Sequence, residues 1–268
     1  MSDVPINRRA FLLQAALAAA ACTLGARAEP VCAAGASARE RRMLFHGTGF
    51  QPMTAIVRRG EMLRIESVAA RMLHLRSAPT APQPVDVRIA RGHPVALALS
   101  APGVYLLYDA LTTRFDPQFG QVVARADAPH FPLPAYAAVL VTDGAGGAVP
   151  LTTTEVTVTD TAMTFQPWSV VCRAGAALRF TNDDMDPHVL MPVPVPAPGR
   201  HAPFRGVPLP AHGGRATVRL DAPGLYHYYC PLHARYRRAE FTFEPLRTYG
   251  SFPFVMDGLI AVLPASGR

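Results

Sequence analysis

Apolar and polar residues alternate along much of this chain with the two-residue period of β-strands. In "RATVRL", Ala216, Val218 and Leu220 share one face; past the turn at Pro223-Gly224, so do Tyr226, Tyr228 and Cys230. In "WSVVCRAG", Val170 and Cys172 share a face of a strand closed by Gly175. Short runs of this kind lie between turn residues drawn from 27 prolines and 20 glycines. The pattern predicts many short strands, hence an all-β chain of β-sandwich type.

The strand pattern occurs twice. "GFQPMTAIVRRGEMLRIES" (49–67) is repeated by "TFQPWSVVCRAGAALRFTN" (164–182), with Phe50-Gln51-Pro52 matching Phe165-Gln166-Pro167. "APGVYLLYDALT" (101–112) is repeated by "APGLYHYYCPLH" (222–233), and "FGQVVA" (119–124) parallels "DGLIAV" (257–262). Three blocks in one order indicate a duplication, with a period too long for a solenoid. Two tandem sandwiches are expected, over 45–127 and 151–268, joined by a linker at 128–150.

The N-terminus adds an address. "NRRAFLLQAALAAAACTLGARA" has a twin arginine (Arg8, Arg9), a short apolar run and a small-residue cleavage site. Residues 1–28 read as a twin-arginine export signal and 29–44 as a linker, which predicts a periplasmic protein with no membrane span after processing. Cys22 is the alternative, lipidated end. Net charge is +7 with no lysine and no dense basic block, which argues against nucleic acid. Cys32, Cys172 and Cys230 would remain, an odd number. Cys172 aligns with Val57 and reads as a small buried apolar residue; a Cys32–Cys172 disulfide is the alternative.

The duplicate separates what the fold needs from what one copy adds. Gly-x-Tyr is shared (Gly103/Tyr105, Gly224/Tyr226) and belongs to the fold. Cys230 and His233 face Asp109 and Thr112 in the first copy, so the chemistry belongs to the second. A third ligand from another strand is offered by His188 in "NDDMDPHVL". Two imidazoles and a thiolate form a trigonal set that selects copper or zinc over hard cations. A nucleophilic Cys/His pair is the rival, without a recognisable orienting residue or oxyanion loop.

Phe165-x-Pro167, Gly175, Thr181-Asn182, Pro187-His188, Gly224-x-Tyr226, Cys230-x-x-His233 and Met256-x-Gly258 fall in one order. In that order the chain resembles the cupredoxins, the blue-copper proteins of plastocyanin and amicyanin type. The resemblance implies a Greek-key sandwich in each copy and one type 1 copper held by His188, Cys230 and His233. It also implies an axial thioether, for which Met256 is the expectation and Tyr236 the alternative. The positions where short-looped relatives carry methionine are Tyr236 and Arg238 here. Val189 departs from the asparagine that braces the loop in plastocyanins. His74 is expected to echo His188.

The stretch 234–255 reads as an insertion peculiar to the second copy. Its Arg237, Arg238 and Arg247 are expected to dock an acidic redox protein. The other histidines, His227 among them, read as surface or packing residues. The leading function is single-electron transfer by an exported type 1 copper protein. A copper carrier or partner-binding sandwich is the alternative, and a two-domain copper oxidoreductase fits less well, because Tyr229 and Pro231 flank Cys230 where such enzymes have histidines.

Overall fold

The computed structural model describes residues 40–143, 147–161, 164–193, 204–247 and 250–265. The stretch 1–28 expected to be an export signal, Cys22 and Cys32 lie outside the described residues. The first copy runs β1 (Glu40–Phe45), β2 (Phe50–Gln51), β3 (Thr54–Arg58), β4 (Met62–Ser67), β5 (Leu73–Ser77), β6 (Asp86–Ile89), β7 (Val95–Ala98), β8 (Gly103–Asp109), β9 (Thr113–Asp116), β10 (Gln121–Ala124) and β11 (Tyr136–Thr142). The second runs β12 (Glu155–Val158), β13 (Phe165–Gln166), β14 (Ser169–Arg173), β15 (Ala177–Asn182), β16 (His188–Pro192), β17 (Val207–Leu209), β18 (Gly214–Arg219), β19 (Gly224–Tyr229), β20 (Ala234–Arg237), β21 (Thr242–Pro245) and β22 (Asp257–Leu263). There is no helix among the described residues.

Each strand of one copy has its counterpart in the other. The sheets β2-β1-β4-β7 and β3-β11-β8-β5-β6 recur as β13-β12-β15-β18 and β14-β22-β19-β16-β17. In each copy the first strand runs parallel to the fourth, and the third parallel to the last. In each copy the second and third strands, and the fourth and fifth, lie in different sheets, a Greek-key sandwich with crossovers. The chain is all-β, with two tandem sandwiches as expected. Each encloses its own core: Phe45, Phe50, Leu63, Ile65 and Tyr105 in the first, Phe165, Phe180, Leu190 and Tyr228 in the second. The Tyr105 and Tyr226 hydroxyls donate to the carbonyls of Ala101 and Ala222, so the shared Gly-x-Tyr pins the turn before β8 and β19.

Two stretches expected to be linkers are sheet. β1 begins at Glu40, and Met43 and Phe45 are buried against the core. Its charged start, Glu40-Arg41-Arg42, points outward and hides the alternation. β11 lies within 128–150 and is buried along its whole length between β3 and β8. A strand covered on both faces reads as an apolar run without alternation.

β11, not β10, is the counterpart of β22: Tyr136 pairs with Tyr108 as Asp257 pairs with Tyr229. The Asp109 amide donates to Ala135 O just as the Cys230 amide donates to Met256 O. The stretch 234–255 is therefore no insertion of the second copy. It folds as the hairpin β20–β21, and the first copy has the same hairpin, β9–β10.

The hairpins join the sandwiches reciprocally. Thr48 Oγ1 donates to Glu240 O at the tip of one, and Gln166 Nε2 donates to Phe119 O at the tip of the other. Between them lies a third apolar cluster containing Met53, Leu106, Tyr108 and Tyr136 from the first copy and Trp168, Phe243 and Leu259 from the second. Tyr136 donates across this seam to Asp257 Oδ2 at 2.7 Å.

Candidate metal centre

β19 alternates as the sequence predicts, carrying Tyr228 and then Cys230 inward to the second core. The chain turns at once, with the His233 and Ala234 amides both donating to Cys230 O. This turn brings the His233 ring back over the cysteine: Nδ1 lies 3.4 Å from Sγ. His188 opens β16, and its Nδ1 lies 3.9 Å from the same sulfur. One donor atom from each of His188, Cys230 and His233 falls within 4.8 Å of the others, and all three residues are buried. The two rings tilt at 45° with centroids 4.7 Å apart.

The surroundings favour the uncharged form of each ligand group. The Val189 amide donates to Cys230 Sγ at 3.4 Å, so the backbone supplies a brace despite the absent asparagine. Burial pushes the Cys230 thiol pKa up, opposed by backbone N–H groups that favour the thiolate. Burial, with the neighbouring His188 adding to it, lowers His233 to about 4. Burial also lowers His188, against the pull of Asp184. Both imidazoles are therefore neutral near pH 7, as metal ligation requires.

Asp184 escaped the sequence reading. Its Oδ2 accepts from His188 Nε2 at 3.0 Å, and neither side chain is exposed. This leaves Nδ1 unprotonated and facing the sulfur, the orienting arrangement common behind ligating histidines. Asn182 fixes the same loop, donating from Nδ2 to the carbonyls of Asp186 and Pro210 and accepting from the Asp184 amide. The only sequence signal was an acid four residues before a histidine, in "NDDMDPH".

The two axial candidates part company. Met256 is buried in the cluster that holds Cys230. Tyr236 packs against Phe243 in the seam cluster, on the other side of β19. Of the arginines expected to dock a partner, Arg237 is paired with Glu240 and Glu244, and Arg247 lies over the rings of Phe131 and Phe252. Arg238 is exposed. Cys172 is buried and unpaired.

In the first copy the same positions hold Leu73, Asp109 and Thr112. His74 is not the echo of His188; it sits one residue later, at the place of Val189. Its amide donates to Asp109 Oδ1 as the Val189 amide donates to Cys230 Sγ, while its ring turns outward to Asp86. Arg71 supplies the positive charge there, 2.7 Å from the Asp109 carboxylate.

No family model matches the chain, and no curated protein matches it. Among solved structures it is similar to a purple cupredoxin from Nitrosopumilus maritimus, at 22% identity over 40% of this chain and 97% of that one, TM-score 0.28. It is also similar to amicyanin from Paracoccus versutus, at 20% identity over 42% and 84%, TM-score 0.27. A copper-containing nitrite reductase from Thermus scotoductus matches at 16% identity over 83% of this chain and 67% of that one, TM-score 0.28. At such scores the functional reading rests on the chain's own residues. No helix among the described residues is long and apolar enough to cross a membrane.

Proposed function

We propose that the chain is an exported type 1 copper protein that transfers single electrons, with His188 and His233 ligating through Nδ1, Cys230 through its thiolate, and Met256 as the weak axial ligand. One observation carries the reading: two neutral imidazoles and a thiol, all buried, converge within 4.8 Å, His188 from β16 and Cys230 and His233 from the turn after β19. Thiolate and imidazole are the donors copper takes. The bound ion would supply a one-electron couple. The chain's part is to fix the donors: Asp184 orients His188, the Val189 amide holds the sulfur, and the β19–β20 turn holds His233.

Burial of all three ligands supports electron transfer over a carrier role, because delivery of the ion needs a ligand within a partner's reach. Leu232, between Cys230 and His233, and Met185, beside Asp184, are exposed apolar side chains on the ligand loops. They offer a redox protein a close approach, with the exposed Arg238 and Arg247 supplying positive charge towards an acidic partner, while Arg237 is taken up by Glu240 and Glu244. The twin arginine at residues 8–9 supports export to the periplasm.

The deciding experiment is the optical spectrum of the copper-loaded protein. An intense visible thiolate-to-copper band that Cys230→Ser abolishes is expected. Bound copper without such a band sinks the electron-transfer reading. Met256→Leu should shift the band or the potential; an unchanged spectrum and potential remove Met256 from the ligand set.

A further inference from the structure

We propose that the cleft between the two sandwiches, on the side of the β20–β21 hairpin, binds a small organic carboxylate with an apolar body. The cleft encloses about 880 Å³, within the usual size of small-molecule sites, which favour domain interfaces. Met53 comes from the first copy, and Leu225, His227, Tyr236 and Phe241 from the second. Arg238 also lines it.

The duplication provides an internal control. The approximate symmetry that relates the copies generates a second cleft, lined by Trp168, Val104, Leu106 and Gly120, of only about 220 Å³. Trp168 stands at the place of Met53, Leu106 at that of His227, Gly120 at that of Phe241, and Pro117 at that of Arg238. Along one seam, one cleft has been filled and the other opened, with His227 and Arg238 where its counterpart has Leu106 and Pro117.

Two of these differences point to a ligand. Arg238 makes no ion pair among the described residues, unlike Arg237 beside it. A guanidinium without an internal counter-ion, beside an apolar wall, is complementary to a carboxylate, which it can take with two parallel hydrogen bonds. His227, where the other copy has Leu106, is about nine-tenths buried and donates through Nε2 to Asp257 Oδ2, so it is a fixed part of the cleft wall. Phe241 has φ 50°, where Gly120 has φ 63°. The left-handed conformation suits glycine and costs a residue with a Cβ about 1–2 kcal/mol. That cost sets the Phe241 ring against His46, centroids 4.8 Å apart, as part of the cleft wall.

The test is calorimetric titration of the metal-free full chain with benzoate, hexanoate and the neutral analogue benzamide. Saturable binding of at least one carboxylate is expected, with benzamide weaker than benzoate by about tenfold or more, the worth of one charge-assisted contact. Arg238→Gln should reduce benzoate to the level of benzamide. Met53→Trp, which copies the filled cleft, should abolish both. Unchanged thermal unfolding of each variant shows that the fold is intact. No binding of either acid at millimolar concentration overturns the proposal, and so does equal affinity for benzoate and benzamide or an Arg238→Gln variant that binds as the wild type does. None of these outcomes bears on the copper spectrum, so the two readings fail separately.

Discussion

Arg71 and Asp109 form an ion pair of 2.7 Å in which the carboxylate has no exposed surface. They occupy the part of the first sandwich that corresponds to the metal centre of the second. Arg71 also lies over the Phe45 ring, 5.2 Å from its centroid, and donates to Gly47 O. A buried anion is tolerable only with a charge and hydrogen bonds about it, and here the chain's own guanidinium meets that need. Removing the partner alone should strand the carboxylate. Arg71→Met is expected to destabilise the protein by about 3–5 kcal/mol, read from the denaturant midpoint. The double variant Arg71→Met/Asp109→Leu should recover much of that loss. An equal loss in both would show that packing, not charge, holds the pair.

This pair also shows why the sequence was legible in one place and opaque in another. Cys230-x-x-His233 against Asp109-x-x-Thr112 was readable because both lie on β8/β19 and the turn that follows, which align without a gap. His188 followed from the same logic, since a trigonal site needs a donor from another strand. Its echo was misjudged by one residue, and one residue on a strand exchanges the faces: Leu73 is buried and His74 points out. The hairpin was misread because "GQVVA" in β10 imitates the closing strand "DGLIAV", while the true closing strand, β11, is apolar throughout. The seam cluster was not visible at all, since its residues alternate outward from each sandwich and look like solvent faces until the copies meet.

Asp184 is expected to act on the metal through His188. Its carboxylate fixes which imidazole nitrogen faces the sulfur. Asp184→Asn keeps the shape and much of the hydrogen bonding but removes the charge that favours a proton on Nε2. Copper affinity should fall about 10–100-fold, the usual effect of losing such a partner, measured by competition with a chelator of known strength. The far-ultraviolet circular dichroism should stay unchanged. Wild-type affinity in this variant would show that the backbone alone orients the ring.

Gly49 should be sensitive for a reason unrelated to its own backbone freedom. A Cβ there would run into the carbonyl oxygens of Glu240 and Phe241 at the tip of the β20–β21 hairpin. Backbone on both sides leaves no flexible side chain to yield. Gly49→Ala should lift the hairpin from the first sandwich, losing the Thr48–Glu240 contact, at about 1–3 kcal/mol, as for other overpacked sites. Amide exchange should then quicken in β20 and β21 but not in β14 or β15. Uniform acceleration would mean that the hairpin is not a separate element of the seam.

The buried imidazoles set the acid limit of the metal-free protein. His233 is depressed from its ordinary 6.5 to about 4, so the folded state stays neutral where the unfolded chain takes up a proton. Stability rises with pH wherever the unfolded state binds more protons. The contribution of His233 is therefore complete above about pH 6.5 and is lost as pH falls towards 4; His188, lowered in the same direction, adds to it. The melting temperature of the metal-free protein should be flat near pH 7 to 8 and drop steeply between pH 6.5 and 4. His233→Gln removes the titrating group and should flatten that drop, even though it loses some packing at neutral pH. Copper should protect along the same window, because ions and protons compete for the same nitrogens. An acid slope identical in wild type and His233→Gln would move the cause to the buried carboxylates.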